Sequence, residues 1–404
     1  MARSSHAVVV GGGIGGLTAA VALHRRGWRV TVLERASSAP LGAGISLAPN
    51  ALRALDVIGL GDEIRDLAAW QGDGGLRTPG GRWISRVDAT ALAERFGGPL
   101  VVLHRAGLIT SLAARLPGGC IRTGVRATLA DPGATGRPAY VATPDGELEA
   151  DLVVAADGIN SVVRGALFPQ HPGPVYSGFT TWRVVIPVPG LRFASHETWG
   201  PGRLWGTHPL KDGRIYAYAA AVTPAGQRAR DDEKAELLRR FGDWHDPVPA
   251  VIDAAGPADV LRHDVHHIAD PLPAFHLGRT ALLGDAAHAM PPTLGQGGNQ
   301  AIEDAVVLAH HAGPPGAGRE LSGLAAYTAD RRPRTTAIAR QAVRIARLNM
   351  MRSRAGAAVR DTAITVLSQV GPGLFLRGFD GIADWQPPGR PYASGEVRSP
   401  ERTP

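Results

Sequence analysis

The chain is expected to adopt an α/β fold, with a Rossmann-like domain that carries an inserted antiparallel β-sheet domain and ends in a C-terminal helical layer. Three observations point there. The β-branched run Ala7-Val8-Val9-Val10 opens directly onto Gly11, Gly13 and Gly16 in a G-x-G-x-x-G spacing, with Gly15 inside it. From about Thr180 to Val222 the pattern becomes aromatic-rich period-2 alternation, a strand signature. After Gln300 it turns to helical spacing, with nine arginines between Ala326 and Arg360.

Taken in order, Ala7–Val10 reads as a buried parallel strand. Gly11 then permits a tight turn, Gly13 lets the backbone approach a pyrophosphate, and Gly16 lets a helix pack closely on the strand. Leu17, Ala20, Val21 and Leu23 give that helix an apolar face, Gly27 ends it, and Arg29–Leu33 is the next strand. Glu34 lies 18 positions after Gly16, close to the roughly 20-residue spacing of an acid that grips ribose hydroxyls. Arg35 follows it and is counted with the site. An acid there disfavours a 2′-phosphorylated ribose and leaves NAD and FAD both open.

A second segment narrows the choice. Thr280 to Leu283 reads as a buried strand ending in Gly284-Asp285. A turn at Pro291-Pro292 follows, then Gly295-Gln296-Gly297-Gly298-Asn299 and a helix. Backbone N–H groups and a helix dipole would there face something anionic, while the Asp285 carboxylate meets ribityl-type hydroxyls.

With the first fingerprint, this segment resembles the signature of FAD-dependent aromatic-ring monooxygenases of the para-hydroxybenzoate hydroxylase type. Further segments resemble that family in order from residue 6 to about 370. The Gly42–Ala51 loop, with Gly44 and Ile45, matches a loop whose backbone nears the isoalloxazine. Arg105, in His104-Arg105-Ala106-Gly107-Leu108, matches an arginine beside the ribityl and phosphate region, although Gly107 stands where an acid is commoner. Val125 matches a position closing over adenine through its backbone, and Asp157 belongs to an Asp-Gly motif shared by flavin and visiting nicotinamide. The resemblance implies bound FAD, NADH or NADPH as transient co-substrate, and O2. It also implies hydroxylation or epoxidation of a small electron-rich ring through a C4a-hydroperoxide of the reduced flavin. Pro292 and the backbone of Gly295, Gly297, Gly298 and Asn299 would wall and polarise the flavin pocket. A flavin oxidase or reductase on the same fold, or a non-catalytic FAD-binding partner protein, stay open as alternatives.

The resemblance is nearest to the urate hydroxylase, salicylate hydroxylase and zeaxanthin epoxidase-like subgroup. Arg203 and Tyr216 lie at the spacing of a purine-contacting Arg and Tyr there, and Trp182-Arg183 is similar as well. Alternation puts Arg203, Trp205 and Thr207 on one face of a strand, and Tyr216 and Tyr218 on one face of the next. The expected cavity has Arg203 as polar anchor, an aromatic wall, and contributions from Arg183, Trp205 and Tyr218. Tyr216 is a candidate proton relay. Residues 72–98 and 174–269 would form this substrate domain. Residues 1–71, 99–173 and 270–375 would form the FAD domain, leaving 376–404 as a tail.

The bulk numbers exclude other classes. With 404 residues, 44% hydrophobic and 20% charged, the chain is globular and long enough for two domains. A lone Cys120 rules out an intrachain disulfide and fits a reducing cytoplasm. The apolar stretch from His6 to Leu23 imitates a secretory signal, but its core is glycine and a strand follows. No stretch has the roughly 18 uninterrupted apolar residues of a membrane span.

Nine arginines against one acid, Asp330, make the 326–360 window alone more basic than the chain's net +7. Arg340, Arg344, Arg347 and Arg354 would share one helical face opposite Ile338, Ala342 and Ile345. A solvated basic side is the plain reading, and peripheral contact with a membrane or protein the alternative. Nucleic acid is not expected, since no aromatic interleaving accompanies the arginines. His263, Asp264, His266 and His267 alternate across a strand, so no metal site is expected.

Overall fold

The computed structural model describes residues 5–37, 43–316, 320–370 and 379–389. Its first layer is a six-stranded sheet. In spatial order the strands are His276–Leu277, Thr280–Leu282, Leu152–Ala155, His6–Val10, Arg29–Glu34 and Ile121–Thr123. All neighbours are parallel except the His276–Leu277 edge, which closes a hairpin. Both faces are covered, which is why Ala7 to Val9 and Val153 to Ala155 read as unbroken apolar runs, all at 0% exposure. The helices Ile14–His24 and Gly297–Ala312 follow strands His6–Val10 and Thr280–Leu282 in the chain, and both helix N-termini face the C-terminal ends of the sheet's interior strands.

The second layer is a seven-stranded sheet ordered Leu261–Ile268, Pro174–Pro187, Arg214–Val222, Arg203–Pro209, His196–Gly200, Gly74–Arg77 and Trp83–Val87. Its pairs are antiparallel except His196–Gly200 with Gly74–Arg77. The outer face is sealed by helices Glu233–Phe241 and Val248–Ala254, which bury Leu237, Phe241, Val251 and Ile252 against Trp182, Trp205, Ala217 and Ala219. The inner face looks toward the first layer across a small sheet of Gly44–Leu47, Val101–His104 and Ala69–Trp70. A three-stranded meander, Thr128–Asp131, Ala139–Thr143 and Gly146–Ala150, stands off the first sheet.

The C-terminal layer differs from the single basic helix expected. Helix Glu320–Asn349 ends before a break, and Arg354 opens a second helix, Arg354–Val370; Arg354 therefore does not continue the Arg340–Arg344–Arg347 face. Nor are all the arginines solvated. Arg331 is 1% exposed and bonds Glu303 at 2.6 Å and Asp304 at 2.7 Å. Arg334 shares Glu303 at 2.8 Å, Arg332 donates to the Leu272 carbonyl, and the buried Arg360 pairs with Asp361. A guanidinium is always charged and its fork can serve several acceptors, so Arg suits such buried pairs. Segment 379–389 docks back on the first layer through Arg53, which donates to the Trp385 carbonyl at 2.8 Å, and through an Arg95–Asp380 pair at 2.7 Å. The rest of the expected tail, and Gly42 of the Gly42–Ala51 loop, lie outside the described residues.

Candidate active site

The crevice begins at the first strand's end. Gly11 has φ +108°, and a Cβ there would sit 2.3 Å from the Ala156 carbonyl oxygen, so a side chain would be excluded twice over. Gly13 caps helix Ile14–His24, which holds Gly15 and Gly16, and no side chain closes that helix N-terminus. Arg105 stands over it: its Nη2 is 4.0 Å from where a Gly13 Cβ would lie. Burial lowers the Arg105 pKa, an effect opposed by Asp285 and Glu34. Glu34 accepts from the Gly12 N–H at 2.7 Å and the Ala36 N–H at 2.8 Å, which fixes the carboxylate at the loop's rim. Arg35 is exposed beside it. Val125 donates its N–H to the Glu34 carbonyl, so only its own carbonyl is left to meet a ligand.

Asp157 follows strand Leu152–Ala155. Its Oδ2 accepts from the Val163 N–H at 3.2 Å, whereas its buried Oδ1 has no partner. Arg164 is not paired with Asp157; it donates to the Ile159 carbonyl at 2.7 Å and the Ala286 carbonyl at 3.1 Å, tying the Asp-Gly loop to the Asp285 segment.

At the crevice's other end, helix Gly297–Ala312 also starts without a side-chain cap. Asp285 Oδ1 lies 3.9 Å from where a Gly297 Cβ would be. The Asp285 carboxyl opens to the crevice yet is walled by chain, and its pKa is raised by burial against the charges of His288, Arg105 and Arg183. Pro292 begins a 3-10 turn that ends at Gly295 with φ +63°. Ile45 packs where a Gly298 side chain would otherwise stand. Asn299 has its side chain engaged within the chain, accepting from the Ala48 N–H at 2.8 Å and donating to the Ser46 and Gly295 carbonyls. Only its backbone remains for a ligand. His288 is buried and bonds Asp304 at 2.6 Å. Although burial raises the Asp304 carboxyl, His288 and Arg331 hold it down to about 2.

The inserted sheet supplies the opposite wall, and here one expectation is overturned. Arg203 pairs with Ala221, Trp205 with Ala219, and His208 with Tyr216. Directly paired residues project to the same face, so Arg203 and Trp205 lie on the face opposite Tyr216 and Tyr218. The Arg203 guanidinium sits 5.3 Å from the Trp244 ring centre and donates to the Arg240 carbonyl. Trp205 is 1% exposed, against Phe241, and donates to Thr207. Both belong to the packing under the outer helices. They do not form the expected anchor and wall.

Arg183 does face inward. It pairs with Tyr218, two positions along from the Val185–Tyr216 pair, and acts on the charges of Asp285, Arg105 and His263. Tyr216 lies flat on the crevice loop: a Gly44 Cβ would fall 2.2 Å from its ring. Burial raises the Tyr216 pKa while Arg183 works against that shift. Two residues that no motif pointed to join them. Glu197 accepts from Tyr218 and, at 2.8 Å, from the Trp199 indole N–H; burial raises its carboxyl pKa. His208 bonds Ser195 at 2.6 Å and Gln71 at 3.1 Å, and burial, then His196, hold it down to about 4. Inward polar residues on strands otherwise apolar on that face were the available signal. Of the four residues weighed as a metal cluster, His263 faces the crevice, Asp264 bonds Arg262 and Thr180 on the outer side, and His267 bonds Ser177.

Comparisons with known proteins agree with this geometry. The family described as "FAD binding domain" matches residues 4–342. The chain is 38% identical over 306 residues to aurachin C monooxygenase/isomerase of Stigmatella aurantiaca, covering 75% of this chain and 79% of that protein. It is 33% identical over 314 residues to the FAD-dependent urate hydroxylase of Klebsiella pneumoniae, covering 75% and 80%. The structure of Klebsiella pneumoniae HpxO complexed with FAD and uric acid superposes with a TM-score of 0.82 at 27% identity, over 93% of this chain and 97% of that one. No helix among the described residues is long and apolar enough to cross a membrane. The fold that builds this crevice is thus shared with a protein whose structure holds FAD, and the chain belongs to the FAD-binding-domain family as an FAD-dependent monooxygenase.

Proposed function

We propose that the enzyme hydroxylates or epoxidises a small electron-rich ring, held on the inner face of the inserted sheet against FAD in the crevice. The observation that carries this reading is the convergence of Arg183, Tyr216 and His263 from the sheet with Arg105 and Asp285 from the first layer. The crevice residues fit the cofactor. The open helix N-terminus at Gly13–Gly16 and Arg105 would take a pyrophosphate. Glu34 would take the adenosine ribose, the Val125 carbonyl the adenine, and Asp285 the ribityl chain. The unpartnered Asp157 Oδ1 would accept from the flavin or the visiting nicotinamide, and the N–H groups of Gly297 to Asn299 would meet the flavin's far end.

When bound and reduced by NADH or NADPH, FAD would supply the electrons that activate O2, from which the transferred oxygen atom comes. The chain's own work is binding, orientation and dryness. Arg183 would anchor an anionic or carbonyl oxygen of the substrate by a charge-assisted bond. Tyr216, kept protonated by its buried site, would donate to the ring's oxygen or relay a proton from it. Tyr218 and Glu197 close the floor behind it. Pro292 and the Gly295 turn, packed against Ser46, would keep water out. Residues 72–98 and 174–269 act together as this substrate-side unit, and we place the protein in the cytoplasm, where NADH and NADPH are available. The relatives are named for a purine and for aurachin C, so purines and larger natural-product rings belong in the search. The exposed arginines of the 331–360 segment, Arg340, Arg344, Arg347, Arg352 and Arg354, are assigned to contact with a membrane or protein surface.

Purified protein should be yellow and release FAD on denaturation. NAD(P)H-dependent O2 uptake should rise, with product, for a member of a panel of phenols, aromatic acids, purines and polyketides. Bound NAD as the sole dinucleotide, or oxidation of substrates without oxygen incorporation, would overturn the reading.

A further inference from the structure

Helix Arg354–Val370 is buried on one side only. Ala357, Arg360 and Asp361 turn inward, and Ser368 Oγ reaches the Ile84 carbonyl of the strand beneath at 3.4 Å. The other side is apolar and open: Val359 is 70% exposed, Val366 51% and Leu367 56%, with Ala355, Ala358 and Ala363 exposed among them. Positions 355, 359, 363 and 366/367 recur at helical spacing and form one stripe. A single exposed hydrophobe is ordinary, whereas a run along one helix face marks an interaction site.

The exposed charges at the start of the stripe are arginines. Within the helix the charged residues are Arg354, Arg360 and Asp361, and the last two bond each other at 2.8 Å in the interior. Exposed Arg352 and Arg354 stand at the helix start, exposed Arg340, Arg344 and Arg347 precede them in the chain, and the strand beneath, Trp83–Val87, carries exposed Arg86 and is followed by exposed Asp88. A two-fold contact between copies sets the same patch against itself, and the helix offers no exposed acid to meet Arg352 and Arg354, since its one acid, Asp361, is buried against Arg360. An anionic bilayer offers phosphates to the arginines and an acyl boundary to the stripe.

We propose that helix Arg354–Val370 is an in-plane anchor by which the enzyme rests on an anionic lipid surface. It narrows the surface contact assigned above to one helix and one partner, and it rests on that assignment while being independent of the substrate.

The test is co-sedimentation of the FAD-loaded protein with phosphatidylcholine vesicles containing or lacking phosphatidylglycerol, at low and high salt. The protein should pellet with the anionic vesicles at low salt and stay in solution with the neutral ones. Removing Arg352 and Arg354 together (Arg352→Ser, Arg354→Ser) should weaken binding about fivefold per arginine. Val359→Asp with Leu367→Asp should weaken it about tenfold or more, while both variants keep bound FAD and NAD(P)H oxidation. Wild-type protein that ignores anionic vesicles overturns the proposal, as do variants that pellet like wild type. So does a dimer that Val359→Asp with Leu367→Asp dissolves in the absence of any vesicle binding, because the stripe would then be covered by a second copy. O2 uptake in lipid-free buffer reads the hydroxylase assignment separately, so the two can fail independently.

Discussion

The two faces of the inserted sheet are built from the same strands and almost the same residue types, yet they do different work. On the outer face Arg203, Trp205, Trp182 and Arg262 are absorbed by the helices above them: Trp182 donates to Glu233 at 2.7 Å, Arg262 bonds Asp264 at 2.6 Å, and Arg203 lies over Trp244. On the inner face Arg183, Tyr216, Tyr218 and His208 meet the crevice, and no helix of the inserted unit covers them. Arginine and aromatic content therefore does not mark a binding face. What marks it is where the covering helices lie, together with the register that sets Tyr216 against His208 and leaves Arg203 opposite Ala221.

The sharpest way to break this division is at Trp205. If the outer face is core, Trp205→Ala should cost about 3–5 kcal/mol of stability, read by urea unfolding, while FAD content and coupling of the remaining folded enzyme stay unchanged. Loss of coupling at intact stability would move Trp205 to the substrate side.

The inner face should show itself in acid. His208 is held neutral, with its pKa down to about 4 from the ordinary 6.5. Above 6.5 neither state binds the proton, so its contribution does not vary with pH. As pH falls from 6.5 toward 4 the unfolded chain takes up a proton that the native state refuses, and stability is lost by about 3 kcal/mol across that window. His196, also depressed to about 4 by burial, adds in the same direction. Asp304, held at about 2, acts in a lower window: its stabilisation is present above the ordinary 3.8 and disappears as pH falls through 2. Urea midpoints at pH 7.5 and 4.5 should diverge in wild type, and the divergence should shrink in His208→Gln, where His196 alone remains; an unchanged divergence would contradict a neutral buried imidazole.

Across the crevice, Asp285→Ala should weaken FAD by about 1.5–3 kcal/mol, the worth of a charge-assisted hydrogen bond. Fluorescence titration of the apoprotein checks it, and an unaltered affinity would remove Asp285 from the cofactor's contacts. The smallest effect belongs to Arg203. Arg203→Ala should lose about 1–2 kcal/mol of stability with its aromatic stacking and leave FAD affinity as it was.

Much of the crevice was legible in the sequence because its chemistry is local. The strand, the glycines and Glu34 follow one another within about thirty residues, and Thr280–Asp285 runs straight into the turn and the helix at Gly297. The sheet's strands and their alternation were legible for the same reason. Which face each strand turns to the crevice was not, because alternation within Arg203–Pro209 says nothing of its register against Arg214–Val222. Glu197 and His208 escaped notice for a related cause: a lone polar residue in an alternating strand reads as a solvent position until the partner layer is known. The arginine window misled in the opposite direction, since Arg331 became internal only through Glu303 and Asp304, about thirty residues earlier in the chain.

The most direct test of the inner-face assignment is coupling stoichiometry with an identified substrate, counting NAD(P)H consumed, H2O2 released and product formed for Arg183→Ala, Tyr216→Phe and Arg203→Ala. The first two should keep the flavin spectrum and NAD(P)H oxidation while product falls and H2O2 rises, and Arg203→Ala should stay coupled. Full coupling in Arg183→Ala and Tyr216→Phe, with uncoupling in Arg203→Ala, would place the substrate on the other side of the sheet and contradict the account.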